Sequence, residues 1–534
     1  MSKRFQHSKN RGEDKDKVLL LEKGKKGIFQ IIFGRTGIVI ALMILQIVLL
    51  IALFLGPVAE HLSYFYGLIV LAAAVLVIHL ANQPGDPSVK LTWAVLILAV
   101  PLVGGFLYVF VITDLGHRMI HRRLEQLQEQ SLSLVSCNEP LMERLRTEEP
   151  ALHALARYTF SHGGFPVYEH SRADYFPLGD DLFPVLLERL EAAEHFIFLE
   201  FFIVEEGYMW GRILRVLEDK VKEGVEVRML YDGTCAISLL PYHYPRELEA
   251  LGIQCKMFAP IRPLVSTYHN NRDHRKILVI DGKAAFTGGF NLADEYINRK
   301  VRFGHWKDTA VLVEGEAVRS FTLMFLQMWN IGQRKEDFAP YLNATVPAAG
   351  PCPGYILPYG DSPLDEERVG EMVYTDILNR ADRYVLIMTP YLILNYNMIS
   401  ALTFAAKRGV DVRLILPHIP DKAYAFALAY THYRELLEAG VRIYEYTPGF
   451  VHAKTFVSDD EKAVVGTINL DYRSLSLHFE CAALLWKVDA VADAERDFQE
   501  TLAKSQEVTL ADLPKIPLKR RLAGRILKLL APLM

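Results

Sequence analysis

Two short segments of the chain carry the same set of reactive side chains at the same spacing. His274, Lys276 and Asp281 form one H-x-K-x4-D step, and His452, Lys454 and Asp459 form the other. Each is followed by a small-residue pair and an asparagine: Gly288, Gly289 and Asn291 in the first copy, Gly466, Thr467 and Asn469 in the second. In an extended chain, residues i and i+2 share a face, so H-x-K sets an imidazole beside an ammonium. A neutral imidazole is a base or nucleophile and a protonated one is an acid, while the ammonium supplies positive charge for a phosphate. Two such units facing each other would bind and cleave a phosphodiester. The apolar runs 277–280 and 455–457 predict strands, and the Asp-Gly and Asp-Asp that follow predict hairpin turns.

These units lie at corresponding places in an internal duplication. AAEHFIFLEFFIV (192–204) matches ADRYVLIMTPYLI (381–393), and KEGVEVRML (222–230) matches KRGVDVRLI (407–415). Each half then runs through a helix-like stretch and a strand, GIQCKMF or GVRIYEY, into its H-x-K strand. Strands alternating with helices predict mixed α/β domains packed about a pseudo-twofold axis, with the H-x-K strands at the seam. The first domain is expected over 151–346 and the second over 347–505, divided at the Pro-Gly-rich PAAGPCPG.

What precedes and follows this core is of a different character. Residues 1–35 hold ten Lys or Arg and predict a basic cytoplasmic tail. Within a membrane-anchor region, 36–115, three stretches without Asp, Glu, Lys or Arg (37–56, 62–81 and 91–112) are each near the length of a membrane-crossing helix. Three full crossings would place the core outside, whereas His117, Arg118, His121, Arg122 and Arg123 favour the inside. An even number of crossings, or one re-entrant segment, reconciles the two. Residues 116–150 predict a charged helical connector. Residues 506–534 end in a basic amphipathic helix, with Leu518, Leu522, Ile526, Leu529 and Leu533 on one side and Arg520, Arg521, Arg525 and Lys528 on the other. A net charge of −4 argues against a nucleic-acid-binding surface, and five cysteines without C-x-x-C indicate neither a disulfide framework nor a zinc site. No glycine-rich phosphate loop or dinucleotide fingerprint is present.

The two segments resemble the HKD motifs of the phospholipase D superfamily, and GTINLDYRSLSLHFE with KLTWAVLILAVPLVGGFLY resembles the bacterial cardiolipin synthases. The resemblance implies an α/β chain of two pseudo-symmetric phospholipase D-like α/β/α domains preceded by N-terminal transmembrane helices. It also implies a metal-independent, cofactor-free double displacement through a phosphohistidine, joining two phosphatidylglycerol molecules into cardiolipin and glycerol on the cytoplasmic face of the cell membrane. By that analogy His274 is the nucleophile and His452 the acid/base. Lys276, Lys454, Asn291 and Asn469 would hold the phosphate, and Asp308 and Glu480 would orient the imidazoles. Arg473 would either hold a lipid phosphate or brace its loop, and Asp281 and Asp459, though part of the motif, would serve turn and strand structure. A lipid hydrolase, another phosphodiesterase and a non-enzymatic membrane scaffold are the alternatives.

Overall fold

The computed structural model describes residues 59–534 except 113–114, 133, 136, 261–270, 333–335, 366 and 534, together with positions 44 and 46–48. The basic tail, and all but four positions of the first apolar stretch, lie outside them.

The second apolar stretch is a single helix, α1 (Ala59–Asn82). The third is broken. It forms α2 (Pro87–Ala99) and α3 (Pro101–Ile112), interrupted at Val100, whose φ of −135° and ψ of 69° leave the helical region immediately before Pro101. This is the restriction a proline places on the residue preceding it. The two pieces fold back closely, because a Cβ on Gly104 would fall 2.4 Å from the Leu96 carbonyl oxygen. Among the described residues no helix is long and apolar enough to cross a membrane. The expectation of one continuous helix over 91–112 is corrected to a short helical hairpin, and the crossing expected of 62–81 is not shown either. The connector follows as α4 (Leu115–Leu132), α5 (Glu139–Glu148) and α6 (Pro150–Tyr158).

The first half contains β1 (Ser171–Phe176), α7 (Gly179–Glu191), β2 (Phe196–Phe201), α8 (Tyr208–Lys222), β3 (Glu226–Asp232), β4 (Gln254–Phe258), β5 (Lys276–Ile280), β6 (Ala284–Gly288), β7 (Ala310–Gly315) and α9 (Val318–Trp329). The second contains β8 (Tyr355–Asp361), α10 (Val369–Arg380), β9 (Tyr384–Met388), α11 (Tyr396–Lys407), β10 (Asp411–Pro417), α12 (Ala423–Glu438), β11 (Arg442–Tyr446), β12 (Thr455–Ser458), β13 (Lys462–Gly466), β14 (His478–Trp486), α13 (Ala490–Leu502) and β15 (Ser505–Val508). A last helix, α14, spans Leu518–Leu530. The sheet orders are β1-β7-β6-β5-β2-β3-β4 and β8-β14-β13-β12-β9-β10-β11-β15. Position for position they are the same sheet, with β15 added at one edge, so the duplication seen in sequence is a duplication of topology.

Alternation along the strands shows how the halves pack. Phe196 and Phe198 of β2, with Ile277 and Val279 of β5, join an apolar cluster that also contains the second sheet. Their neighbours Ile197, Leu199, Leu278 and Ile280 point the other way, into a cluster lined by α7 and α8. Helix α9 is buried nearly all round and belongs to the shared cluster, so it is a core element between the halves rather than a surface helix.

The motif aspartates terminate the H-x-K strands. Asp281 has φ 53° and Gly282 φ 65°, and Asp459 has φ 58° and Asp460 φ 62°. Positive φ at both central residues is the hairpin turn whose twist matches the strands. The Asp281 carboxylate accepts from the backbone N–H groups of Glu194, His195 and Phe196, each at 2.8 Å. Asp459 accepts equivalently from Asp382, Arg383 and Tyr384 at 2.9–3.1 Å. Both stand at the far end of their strands from the histidines, seven residues or roughly 23 Å away at the rise of a strand, and accept from backbone N–H groups instead of an imidazole. Burial alone would raise the Asp459 carboxyl, but three backbone donors outweigh it and hold the group below its usual range. Its contribution is thus complete above the unfolded carboxyl range and is lost as pH falls through the depressed folded value. Asp459→Ala should lower stability by about 2–4 kcal/mol at neutral pH, measured by denaturant unfolding, with the difference from wild type shrinking in acid.

Candidate active site

Each histidine meets a carboxylate delivered by the other half. The short strand Arg272–Asp273 pairs in parallel with His478–Phe479, and the His274 N–H donates to the Phe479 carbonyl at 2.9 Å. That ladder sets the His274 side chain against Glu480, with Nδ1 2.9 Å from both carboxylate oxygens. Reciprocally, Gly449–Val451 pairs in parallel with His305–Lys307, and the His452 N–H donates to the Lys307 carbonyl at 2.7 Å. Asp308 follows, and its Oδ2 lies 2.6 Å from His452 Nδ1. A carboxylate is an acceptor only, so in each pair the imidazole carries its proton on Nδ1 and keeps the Nε2 lone pair free.

The glycine after the first motif makes room for the Asp308 carboxylate, and the one after the second for the neighbouring strand. A Cβ on Gly289 would fall 1.9 Å from Asp308 Oδ1, and one on Gly466 would fall 2.4 Å from the Ala482 Cβ. Thr467, the counterpart of Gly289, instead donates its hydroxyl to Glu480.

Lys276 and Lys454 are buried beside the imidazoles. Lys276 Nζ donates to the His274 carbonyl at 2.5 Å, and Lys454 Nζ lies 2.8 Å from His452 Nδ1 and donates to that residue's carbonyl. Burial lowers Lys276 to about 8, against the pull of Glu480. It lowers Lys454 to about 7, with Asp308 opposing and Lys276 adding to the shift. Burial and Lys454 bring His452 down to about 4 despite Asp308. His274 falls well below its ordinary value through burial, then Lys276, His478, Lys454 and His452. Glu480 is raised by burial, with Lys276, the Thr467 hydroxyl and Ser474 acting against the rise. The site is buried, with two lysines beside two imidazoles whose basicity is lowered, an arrangement suited to receiving a negatively charged group.

The two asparagines are not equivalent. Asn291 is engaged by the protein, its Oδ1 accepting from the Ile203 N–H at 2.9 Å and its Nδ2 donating to the Tyr296 hydroxyl at 2.7 Å. Asn469 is buried with no partner for its Oδ1. Arg473 donates from Nε to His478 Nε2 at 3.0 Å.

His478 was not singled out in the sequence, although its i, i+2 relation to Glu480 on one strand was a visible signal. Its ring centroid stands 5.4 Å from that of His274. Among the described residues, His274, His478 and Glu480 bring three potential ligand atoms within 4.8 Å of one another. Hydrogen bonding occupies this set differently, since His274 Nδ1 is committed to Glu480 and His478 Nε2 accepts from Arg473. Neither imidazole offers a free lone pair toward the carboxylate, and the cluster does not fit a metal site.

Most of the chain is similar to known proteins. The sequence profile described as "Cardiolipin synthase, PLD-like domain" matches residues 186–329 and 374–502, and "Phospholipase_D-nuclease N-terminal" matches 68–111. The chain is 51% identical over 458 residues to an uncharacterised protein of Streptococcus mutans, covering 86% of this chain and 99% of that one. It is 34% identical to a cardiolipin synthase of Geobacillus kaustophilus (86% of this chain, 91% of the relative) and to cardiolipin synthase 2 of Bacillus anthracis (86% and 89%). A solved structure of phosphatidylserine synthase from Haemophilus influenzae shares the fold, with TM-score 0.56 at 13% identity over 71% of this chain and 99% of that one. The chain belongs to the cardiolipin synthase family of phospholipase D-like proteins.

Proposed function

We propose that the protein transfers the phosphatidyl group of one phosphatidylglycerol to a hydroxyl of a second, giving cardiolipin and glycerol. The observation that carries this reading is the reciprocal pair of carboxylate-oriented histidines, each with its lysine, in a chain of this family. In the reading, His452 enters the first step as imidazolium, with a second proton on Nε2; His274 attacks phosphorus through Nε2 while His452 gives that proton to the departing glycerol oxygen. His452 then takes a proton from the incoming alcohol, which displaces the histidine. Lys276 and Lys454 stabilise the nonbridging oxygens, and Asn469 assists by donating from its Nδ2. Asn291 acts indirectly, by fixing the backbone at Ile203, and Arg473 braces its loop through His478.

Product analysis by mass spectrometry, on protein reconstituted in phosphatidylglycerol vesicles with EDTA present, tests the reading. Cardiolipin and glycerol are expected. Phosphatidic acid alone would make water the acceptor, and an unchanged lipid pool would direct the search to other diesters.

The buried lysines set the pH dependence. As pH rises through about 7 to 8 they lose charge and the site loses its hold on phosphate, so kcat/KM should fall over that range. The apparent values belong to the coupled group rather than to one residue. In Lys454→Arg, whose charge persists, the alkaline limb should move upward by at least one pH unit, read from a pH–rate profile.

The membrane arrangement that fits this substrate uses the apolar hairpin and α14 together. Leu68, Leu71, Val75 and Ile78 of α1, with Leu91 and Leu98 of α2, are exposed, as are Leu518, Leu522 and Ile526 of α14. The helix docks through its small face instead: a Cβ on Gly524 would fall 2.2 Å from the Ala427 carbonyl oxygen. Thr92 Oγ1 donates to the Leu529 carbonyl at 2.7 Å, joining α14 to α2. Helices of 13 and 12 residues reach about 18–20 Å, short of the ~30 Å hydrocarbon core. In this reading α2–α3 dips into one leaflet and returns, leaving the catalytic domains on the cytoplasmic side with the basic tail. The Leu522→Glu/Ile526→Glu variant should lose about tenfold activity on vesicles and little in detergent micelles; equal loss in both would assign the helix to domain stability.

A further inference from the structure

We infer that His478, held by Arg473, is a positioning residue for the reaction: it presents an N–H to Glu480 and thereby keeps that carboxylate an acceptor for His274. This rests on the phosphatidyl-transfer reading of the same site.

The inference follows from which nitrogen carries the proton. Arg473 Nε is a donor only, and at 3.0 Å from His478 Nε2 it requires a lone pair there. The proton of a neutral His478 is therefore on Nδ1. That atom is buried without a hydrogen-bond partner, and Glu480 Oε1 lies 3.6 Å from it. His478 is 8% exposed, so water does not reach the gap freely. Burial and then Arg473 lower its basicity well below the ordinary range, which keeps it neutral. It adds a dipole to Glu480 without adding a charge that would oppose protonation of the histidines.

Burial pushes Glu480 toward its protonated form, so the carboxylate needs that help. It is faced by His274 and Lys276 from the first half, and by the Thr467 hydroxyl, Ser474, Asp471 and His478 from its own half. If it takes a proton it can donate to His274 Nδ1, which would turn the imidazole to the tautomer whose Nε2 has no lone pair for phosphorus. Arg473 Nε donates to the ring that stands beside Glu480. The loop Asp471–Ser474 is itself fixed, since Asp471 accepts from the Ser474 N–H at 2.8 Å, so Arg473 is presented from a rigid support.

The test is the pH–rate profile of full-length His478→Leu, His478→Asn and Arg473→Met in phosphatidylglycerol vesicles, with wild type and thermal unfolding beside them. His478→Leu keeps the volume but removes the N–H. It should lower kcat at least tenfold with KM within about twofold, and move the acid limb upward by at least half a pH unit. His478→Asn has an amide donor and acceptor separated much as the two ring nitrogens are, and should recover most of the rate and the wild-type limb. Arg473→Met, which frees Nε2, should reproduce the limb shift even if His478→Leu fails to fold. An unmoved acid limb in both His478→Leu and Arg473→Met overturns the inference, as does a loss confined to KM. Inactive wild type would instead overturn the transfer reading beneath it.

Discussion

His274→Ala should yield neither cardiolipin nor any phosphorus-bearing histidine, with transfer lowered by at least ~10⁴-fold. In His452→Ala the first displacement lacks its acid and the second lacks its base, so product should fall by a similar factor. A small amount of adduct on His274 should still accumulate, because attack on phosphorus needs only the Nε2 lone pair. The measurement is a single-turnover reaction with phosphorus-labelled phosphatidylglycerol in vesicles, quenched in alkali and followed by peptide mapping. The two sites are close to mirror copies: each imidazole has its Nδ1 on a carboxylate from the other half and a lysine two residues on. What separates them is charge. Burial and the neighbouring lysines depress both rings, and at His452 the Asp308 carboxylate works against the shift and keeps the ring protonatable. The more easily protonated ring is the better acid, and the ring that stays neutral is the better nucleophile. An adduct on His452 in the His274→Ala protein would reverse the assignment while leaving the double displacement intact.

The chemistry of the site was legible in the sequence to an unusual degree because it is periodic and duplicated. H-x-K specified which side chains the fold brings together, the matched strand segments specified a repeated α/β unit, and Asp-Gly and Asp-Asp specified the turns that Asp281 and Asp459 close. The pairing of parts was not legible. Glu480 stands 206 residues from His274, and Asp308 stands 144 from His452. Each is brought in by a ladder of only two or three residues between halves. No local pattern encodes that exchange. Asn291 and Asn469 occupy matching places in the repeat, yet the Ile203 N–H and the Tyr296 hydroxyl engage the first, whereas the Oδ1 of the second has no partner. Repeat position fixes a side chain's address, while its neighbours decide its work. In the apolar region, composition pointed to one long helix over 91–112, but Pro101 and Gly104 turned it into a hairpin, a local steric effect that a count of apolar residues does not weigh.

The exchange of carboxylates makes Asp308→Asn and Glu480→Gln informative, and each should lower kcat by roughly 10²–10⁴-fold with little change in KM. An amide is nearly the size of a carboxylate, so the packing around Gly289 and Thr467 survives and unfolding should be almost unchanged. What changes is the proton. Asp308 already accepts from the Thr309 N–H through Oδ1 at 2.9 Å, which in Asp308→Asn directs the amide oxygen there and turns the NH₂ toward His452. The amide then donates to Nδ1, the imidazole proton moves to Nε2, and the nitrogen meant to accept from the incoming alcohol no longer has a lone pair. In Glu480→Gln the Thr467 hydroxyl likewise favours the amide oxygen, leaving the NH₂ to face His274. The phosphate-holding lysines are untouched, so substrate should still bind. A fall of less than tenfold in both variants would mean that the lysines and backbone alone orient the imidazoles. A fall in Glu480→Gln alone would place the tautomer requirement on the nucleophile, where Arg473 and His478 already converge.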